Sequence, residues 1–155
     1  MRQSCPRCSG GVEQTTLGVI SVEASPLRLT VEDMPAAGCA KNHTAPVDND
    51  FMLWLIQELK RREAALPAGE EKGRLFTKFL CACGKELAAQ PGRKQTFPLD
   101  LAYDGYPGFT AAVEMPLYKC SGCGKEQLRS VKEAQKYTLH AIAELNDAAG
   151  FPHAG

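Results

Sequence analysis

Apolar and polar positions divide the chain into two stretches of the same plan, extended segments followed by one amphipathic helix. Leu17, Val19 and Val22 form a first apolar run, and Leu27, Leu29 and Val31 alternate with Arg28 and Thr30. That two-residue period belongs to a half-buried strand. Pro26 and Pro35 bracket the second run, so the first 45 residues read as loops and short strands around a hairpin. Phe51, Leu55 and Leu59 then fall four apart with Met52 and Ile56 beside them, the stripe of a helix. Asp48 or Asn49 can cap it, with Asp50 in its first turn. Lys60, Arg61 and Arg62 complement its dipole near the end, and Pro67 and Gly69 stop it. Residues 66–74 read as a linker.

The second half predicts strands over 97–103 and 109–115, joined through the turn signal Asp104-Gly105-Tyr106-Pro107-Gly108. A closing helix begins at Ser130, with Glu133 completing a capping box. Val131, Ala134, Thr138, Ala141, Ile142 and Leu145 form its inner stripe, and Gly150 is its stop. At a constant offset of 81, Met34, Pro35 and Cys39 fall on Met115, Pro116 and Cys120, which points to an internal duplication.

Composition narrows the classes. The 155 residues include 14 glycines and 10 prolines but only 7% aromatics, so two modules of this size would each have a thin core in need of a staple. Net charge is zero. Residues 1–70 carry 7 Lys/Arg against 9 Asp/Glu and residues 71–155 carry 11 against 9, which leaves no broad basic field for nucleic acid. The opening MRQSCPRC lacks the apolar core of a signal peptide, and no apolar run approaches the roughly 18 residues of a membrane span. The expected location is the cytosol, with no membrane partner. Paired cysteines there serve metal or redox chemistry more often than disulfides.

Seven cysteines and one histidine supply eight candidate ligands. The first half offers Cys5 and Cys8, then Cys39 and His43; the second offers Cys81 and Cys83, then Cys120 and Cys123. A Cys-x-x-Cys turn presents two sulfurs on one side of a tight loop, and two such turns close a tetrahedral zinc site. Cys5-Pro-Arg-Cys8 and Cys120-Ser-Gly-Cys123 have the usual spacing. Cys81-Ala-Cys83 is one residue short, and the Cys39/His43 pair is the weakest, with a plain surface histidine as the alternative for His43. His140 on a helix and His153 in the tail are read as non-ligands. Iron–sulfur ligation by the second set stays open. A thioredoxin-like redox role does not fit Cys5, which leaves no room for a preceding βαβ unit. A four-thiolate site is closed and polarises water poorly, so the second set reads as structural; no general base accompanies the first, where Glu32 and Asp33 read as a solvated turn.

Other side chains offer surfaces. Trp54 follows Leu53 on the first helix and is a candidate half-exposed anchor, with core packing as the plain alternative. Lys60-Arg61-Arg62 could touch phosphate but reads better as a solvated helix end, as does Arg93-Lys94 in its loop.

Cys-Pro-Arg-Cys at 5–8, a hairpin, Pro35, Cys39 and a following helix resemble the YgiT-type zinc finger, the N-terminal domain of MqsA-type antitoxins. The resemblance covers roughly residues 1–65 and, by duplication, 78–148. It implies a structural zinc held by Cys5, Cys8 and Cys39 and a domain that binds a partner toxin. Asn42 stands where that family has its fourth cysteine, with His43 one residue on, and the family's helix-turn-helix is missing. The expectation is an α+β chain of two tandem zinc-ribbon-like modules, residues 1–66 and 75–150. Each is a β-hairpin or small antiparallel sheet followed by one amphipathic helix. The implied function is a non-enzymatic interaction or regulatory protein with two structural Zn2+ sites, binding another protein; a nucleic-acid-binding zinc ribbon is the alternative.

Overall fold

The extended runs are longer than the apolar pattern alone predicts. In a computed structural model, described over residues 1–152, the chain forms β1 (Val12–Ala24), β2 (Leu27–Cys39), β3 (Thr44–Ala45), α1 (Phe51–Ala64), β4 (Glu70–Lys72), β5 (Lys78–Leu80), β6 (Arg93–Leu101), β7 (Phe109–Lys119), β8 (Glu126–Gln127) and α2 (Val131–Ala148). The reading of His153 lies outside the described residues. Pro35 sits inside β2, opposite Thr16, instead of ending the run. The far side of β2 is paired at residues 28–32 with β7 and at 37–38 with β3, so an imide at 35 falls in the gap and costs no ladder bond there. Pro116 has the same place in β7, whose pairing with β2 runs over 110–114. Asp33 is strand, not turn, although its φ is +61°.

The expected hairpins both form. They join edge to edge in the order β1-β2-β7-β6, all antiparallel, with β3 on β2 and β8 on β7. The two halves therefore share one sheet, where the sequence reading expects a small sheet in each. They also share one core: Leu29, Val31, Met34, Phe51, Leu55 and Leu59 of the first half cluster with Phe109, Val113, Met115, Ile142 and Leu145 of the second.

The helices explain why. Each covers the strands of the other half. α2 packs on β1 and β2, and its end is fastened there by Thr44, whose hydroxyl donates to the Ala149 carbonyl at 2.6 Å. α1 faces the second half: Phe51 lies against Tyr103 and Phe109, and Arg62 donates to the Asp100 carbonyl at 3.1 Å. Asp48, not Asn49, caps α1, accepting the amides of Asp50 and Phe51 at 2.9 Å while Tyr103 donates its hydroxyl to the same carboxylate; Asp50 stands just before the first turn instead of in it. Ser130 caps α2 by accepting the Glu133 amide at 3.0 Å. The Glu133 carboxylate, however, pairs with Arg129 rather than closing a capping box. Trp54 is not a free anchor; its ring packs on Phe51, Tyr103 and Phe109. Arg61 and Arg62 pair with Glu58, and Arg93 pairs with Glu126.

The stretch read as a linker is partly built into the fold. Gly69 donates to the Leu128 carbonyl and Leu128 donates back to Pro67. A Cβ at Gly69 would stand 2.8 Å from the Arg129 carbonyl oxygen, so only glycine allows this approach. The β4–β5 hairpin follows. No helix among the described residues is long and apolar enough to cross a membrane.

Candidate metal centres

Four short turns carry the eight candidate ligands, and all four are built alike. In each, the first cysteine's carbonyl accepts an amide three or four residues on, from Ser9, Asn42, Gly84 and Gly124 respectively. Those four residues all have positive φ, between +61° and +91°. The cysteine's own amide closes the turn onto Gly10, His43, Lys85 or Lys125. The turns at Cys5 and Cys120 are the longer type and those at Cys39 and Cys81 the shorter. In the shorter type Ala40 matches Ala82 and Asn42 matches Gly84. The ligand then comes from the third residue in one case, Cys83, and from the fifth in the other, His43. The shortened Cys81-Ala-Cys83 spacing and the offset His43 are thus two uses of one turn. Asn42, which replaces the fourth cysteine of the resembled family, supplies the left-handed residue that the turn requires.

The fold brings these turns together in two clusters. Cys5, Cys8, Cys39 and His43 present ligand atoms all within 4.8 Å of one another, and so do Cys81, Cys83, Cys120 and Cys123. Cys5 Sγ lies 3.6 Å from His43 Nδ1 and Cys8 Sγ 3.8 Å from Cys39 Sγ. In the second cluster Cys81 and Cys123 stand 3.7 Å apart and Cys83 and Cys120 3.4 Å. A disulfide needs about 2.05 Å, and all seven cysteines are free. Each cluster can hold one metal ion. His140 is exposed on α2 and joins neither.

Strand ends set the clusters in place. Cys39 ends β2, Cys120 follows β7, and each cluster ties one end of a central strand to a loop distant in sequence. Backbone amides aim at the sulfurs: Arg7 N–H at Cys5, Gly122 and Cys123 N–H at Cys120, at 3.3–3.5 Å. The buried Gln127 donates its side-chain amide to Cys81 Sγ at 3.3 Å. Sequence reasoning missed Gln127, and nothing in its local pattern marks it.

The charge balance of the clusters invites a cation. Burial raises the Cys5 thiol, but the Arg7 and Cys8 amides and the His43 ring outweigh it and bring its pKa to about 6. The Cys83 amide and the Gln127 side chain bring Cys81 to about 6. The Lys125 amide lowers Cys123, yet the neighbouring Cys120 and Cys81 sulfurs push it up to about 11. Without a cation some thiols ionise at the expense of others; a divalent ion at the centre lets all of them ionise. Replacing Gln127 by Leu removes the donor to Cys81 and is expected to weaken metal binding at the second cluster by about 10- to 100-fold, measured by competition with a chromogenic chelator. An unchanged affinity would make Gln127 a packing residue only. No protein-family model matches this chain, and no curated protein or solved structure does either.

Proposed function

We propose that both clusters hold structural zinc and that the chain is a non-catalytic interaction protein organised by those two ions. The ligand spacing carries this reading. Sulfurs about 2.3 Å from a tetrahedral zinc lie about 3.8 Å apart, and a sulfur and an imidazole nitrogen about 3.6 Å apart. The separations of 3.8 Å and 3.6 Å in the first cluster and 3.7 Å in the second agree with those edges, and the Cys83–Cys120 edge is shorter, at 3.4 Å. Four protein ligands fill a tetrahedral shell and leave no position for water or substrate, which favours a structural role over catalysis. The YgiT-type reading rests on Cys-Pro-Arg-Cys at 5–8, the hairpin, Pro35, Cys39 and the following helix alone, so a toxin partner is not part of the proposal.

We also read the halves as duplicated. Adding 81 to β2 (27–39) gives 108–120, which spans β7 (109–119), and the central pairs Thr30↔Ala112 and Val31↔Ala111 are exchanged by that same offset. Element-resolved metal analysis of the purified chain is expected to return two zincs, and one after Cys8→Ser or Cys123→Ser. Iron in place of zinc, or no metal in a folded sample, would overturn the assignment.

A further inference from the structure

Beyond the clusters, one helix face is built for a partner that the single chain does not supply. α2 turns Ala134, Thr138, Ala141, Ile142 and Leu145 inward. Its opposite side presents Lys132, Lys136, Leu139, Ala143, Glu144 and Asp147, all of them exposed. At 3.6 residues per turn these six share an arc of about 140°. Leu139 is 41% exposed, and Leu53 on α1 is 57% exposed. Leu139 and Ala143 also line the groove between the two helices, with Met52 and Ile56 of α1 opposite them. The middle of the helix layer is therefore apolar and open.

The charges on this face are sorted by sign along the helix. Both lysines lie in its first half and both acids in its last turns, where no base stands. A helix dipole favours the reverse order, anions at the N-terminus and cations at the C-terminus. Lys132 and Lys136 are moreover like charges four apart, which destabilises a lone helix. Nothing in the chain offsets this: Lys132, Lys136 and Glu144 have no hydrogen bond or ion pair among the described residues, and Glu133 is held by Arg129. A second α2 running antiparallel satisfies the whole order. The midpoint of residues 136 and 144 is 140, and that of 132 and 147 is 139.5. One two-fold axis beside Leu139 and His140 therefore sets Lys136 against Glu144 and Lys132 against Asp147 at once, each pair twice. A uniformly acidic or basic partner would match only half of the face.

We propose that a second copy of this chain docks on the exposed face of α2, helix against helix and antiparallel about a two-fold axis at Leu139 and His140. Leu139 and Ala143 meet at the centre, and Lys136 of each chain pairs with Glu144 of the other. This names the partner of the interaction reading above and rests on that reading. The contact uses the same patch on both chains, so it closes as a dimer and does not extend further.

Analytical ultracentrifugation of the metal-loaded full chain over a wide concentration range tests it. Wild type is expected to form a dimer that added salt weakens. Lys136→Glu and Glu144→Lys each turn two attractive pairs into two repulsive ones, and each is expected to raise the dissociation constant about tenfold or more. The double variant carries both changes on one chain and restores opposite signs across the axis, so it is expected to dimerise as wild type does. An equimolar mixture of the two single variants is expected to pair with each other for the same reason. All these positions are exposed, and circular dichroism confirms that the variants fold; Leu139→Arg, which sets like charges at the axis, is a further variant expected to stay monomeric. A wild type that is monomeric up to about 1 mM, or single variants that dimerise as wild type does, overturns the proposal. So do a folded double variant and a mixture that both fail to associate. Zinc content measured on the same samples separates these results from any failure of the metal assignment, and a monomeric wild type with two zincs removes this partner alone.

Discussion

Stripping the metal from both clusters is expected to lower the unfolding midpoint by about 20–40 °C for each site lost. Structural zinc in small domains contributes roughly 10 kcal/mol or more per site, and at this chain length each kcal/mol moves the midpoint by about 2–4 °C. The loss should not be uniform. β1, β2, β7 and β6 and the two helices share one large core. The segment between β5 and β6 has only the small cluster of Cys81, Leu87, Tyr118 and Cys120, with Phe79 against it. With the second site empty, the Cys81, Gly84 and Leu87 amides, bonded to Lys85, Cys81 and Phe79, should exchange first. Circular dichroism melting and hydrogen exchange, with and without a strong chelator, read both effects, and Cys81→Ser isolates the second site. A chelated protein that melts where the loaded one does, with Leu87 still protected, would mean that the core alone holds the fold.

Local chemistry is what the sequence displays well. The Phe51, Leu55, Leu59 spacing marks α1, Ser130 marks the start of α2, and all eight residues read as ligands lie in the two clusters. His43 was the least secure of these, because spacing alone cannot distinguish a ligand from a solvated side chain. The backbone of the turn brings its ring into the first cluster, with Asn42 at φ +63° just before it. What the pattern does not display is the partner of each buried face. An amphipathic stripe states that one side of a helix is covered and is silent about what covers it, so the sequence does not say which strands α1 and α2 lie on. The exchange of helices between halves depends on long-range bonds such as Thr44 to Ala149 and Arg62 to Asp100, which carry no periodic signal. It also has an energetic sense. A half of this chain has too little apolar material for two-layer packing on its own, whereas crossing the helices over a joint sheet puts both stripes into one core.

Glu63 is a residue the pattern did contain, since it is the next position in the series 51, 55, 59. Its place on the buried stripe has a measurable consequence. Burial, outweighing the Thr138 hydrogen bond and the charge of Lys60, raises its pKa from the usual 4.5 to about 7. The folded chain therefore holds this proton over a range where the unfolded chain has released it. Its contribution to stability is whole below about pH 4.5, falls as pH rises towards 7, and is flat above that. A shift of this size amounts to about 3 kcal/mol between the two plateaus. Metal release at low pH alters both wild type and variant, so the informative quantity is their difference. Glu63→Gln keeps the shape and the acceptor for Thr138 but cannot ionise. It is expected to be no more stable than wild type near pH 5 and more stable near pH 8, with the difference swinging by about 3 kcal/mol in denaturant titrations of the metal-loaded proteins. Parallel stability curves across that range would mean that the carboxyl is charged in the folded protein and that a donor reaches Oε2.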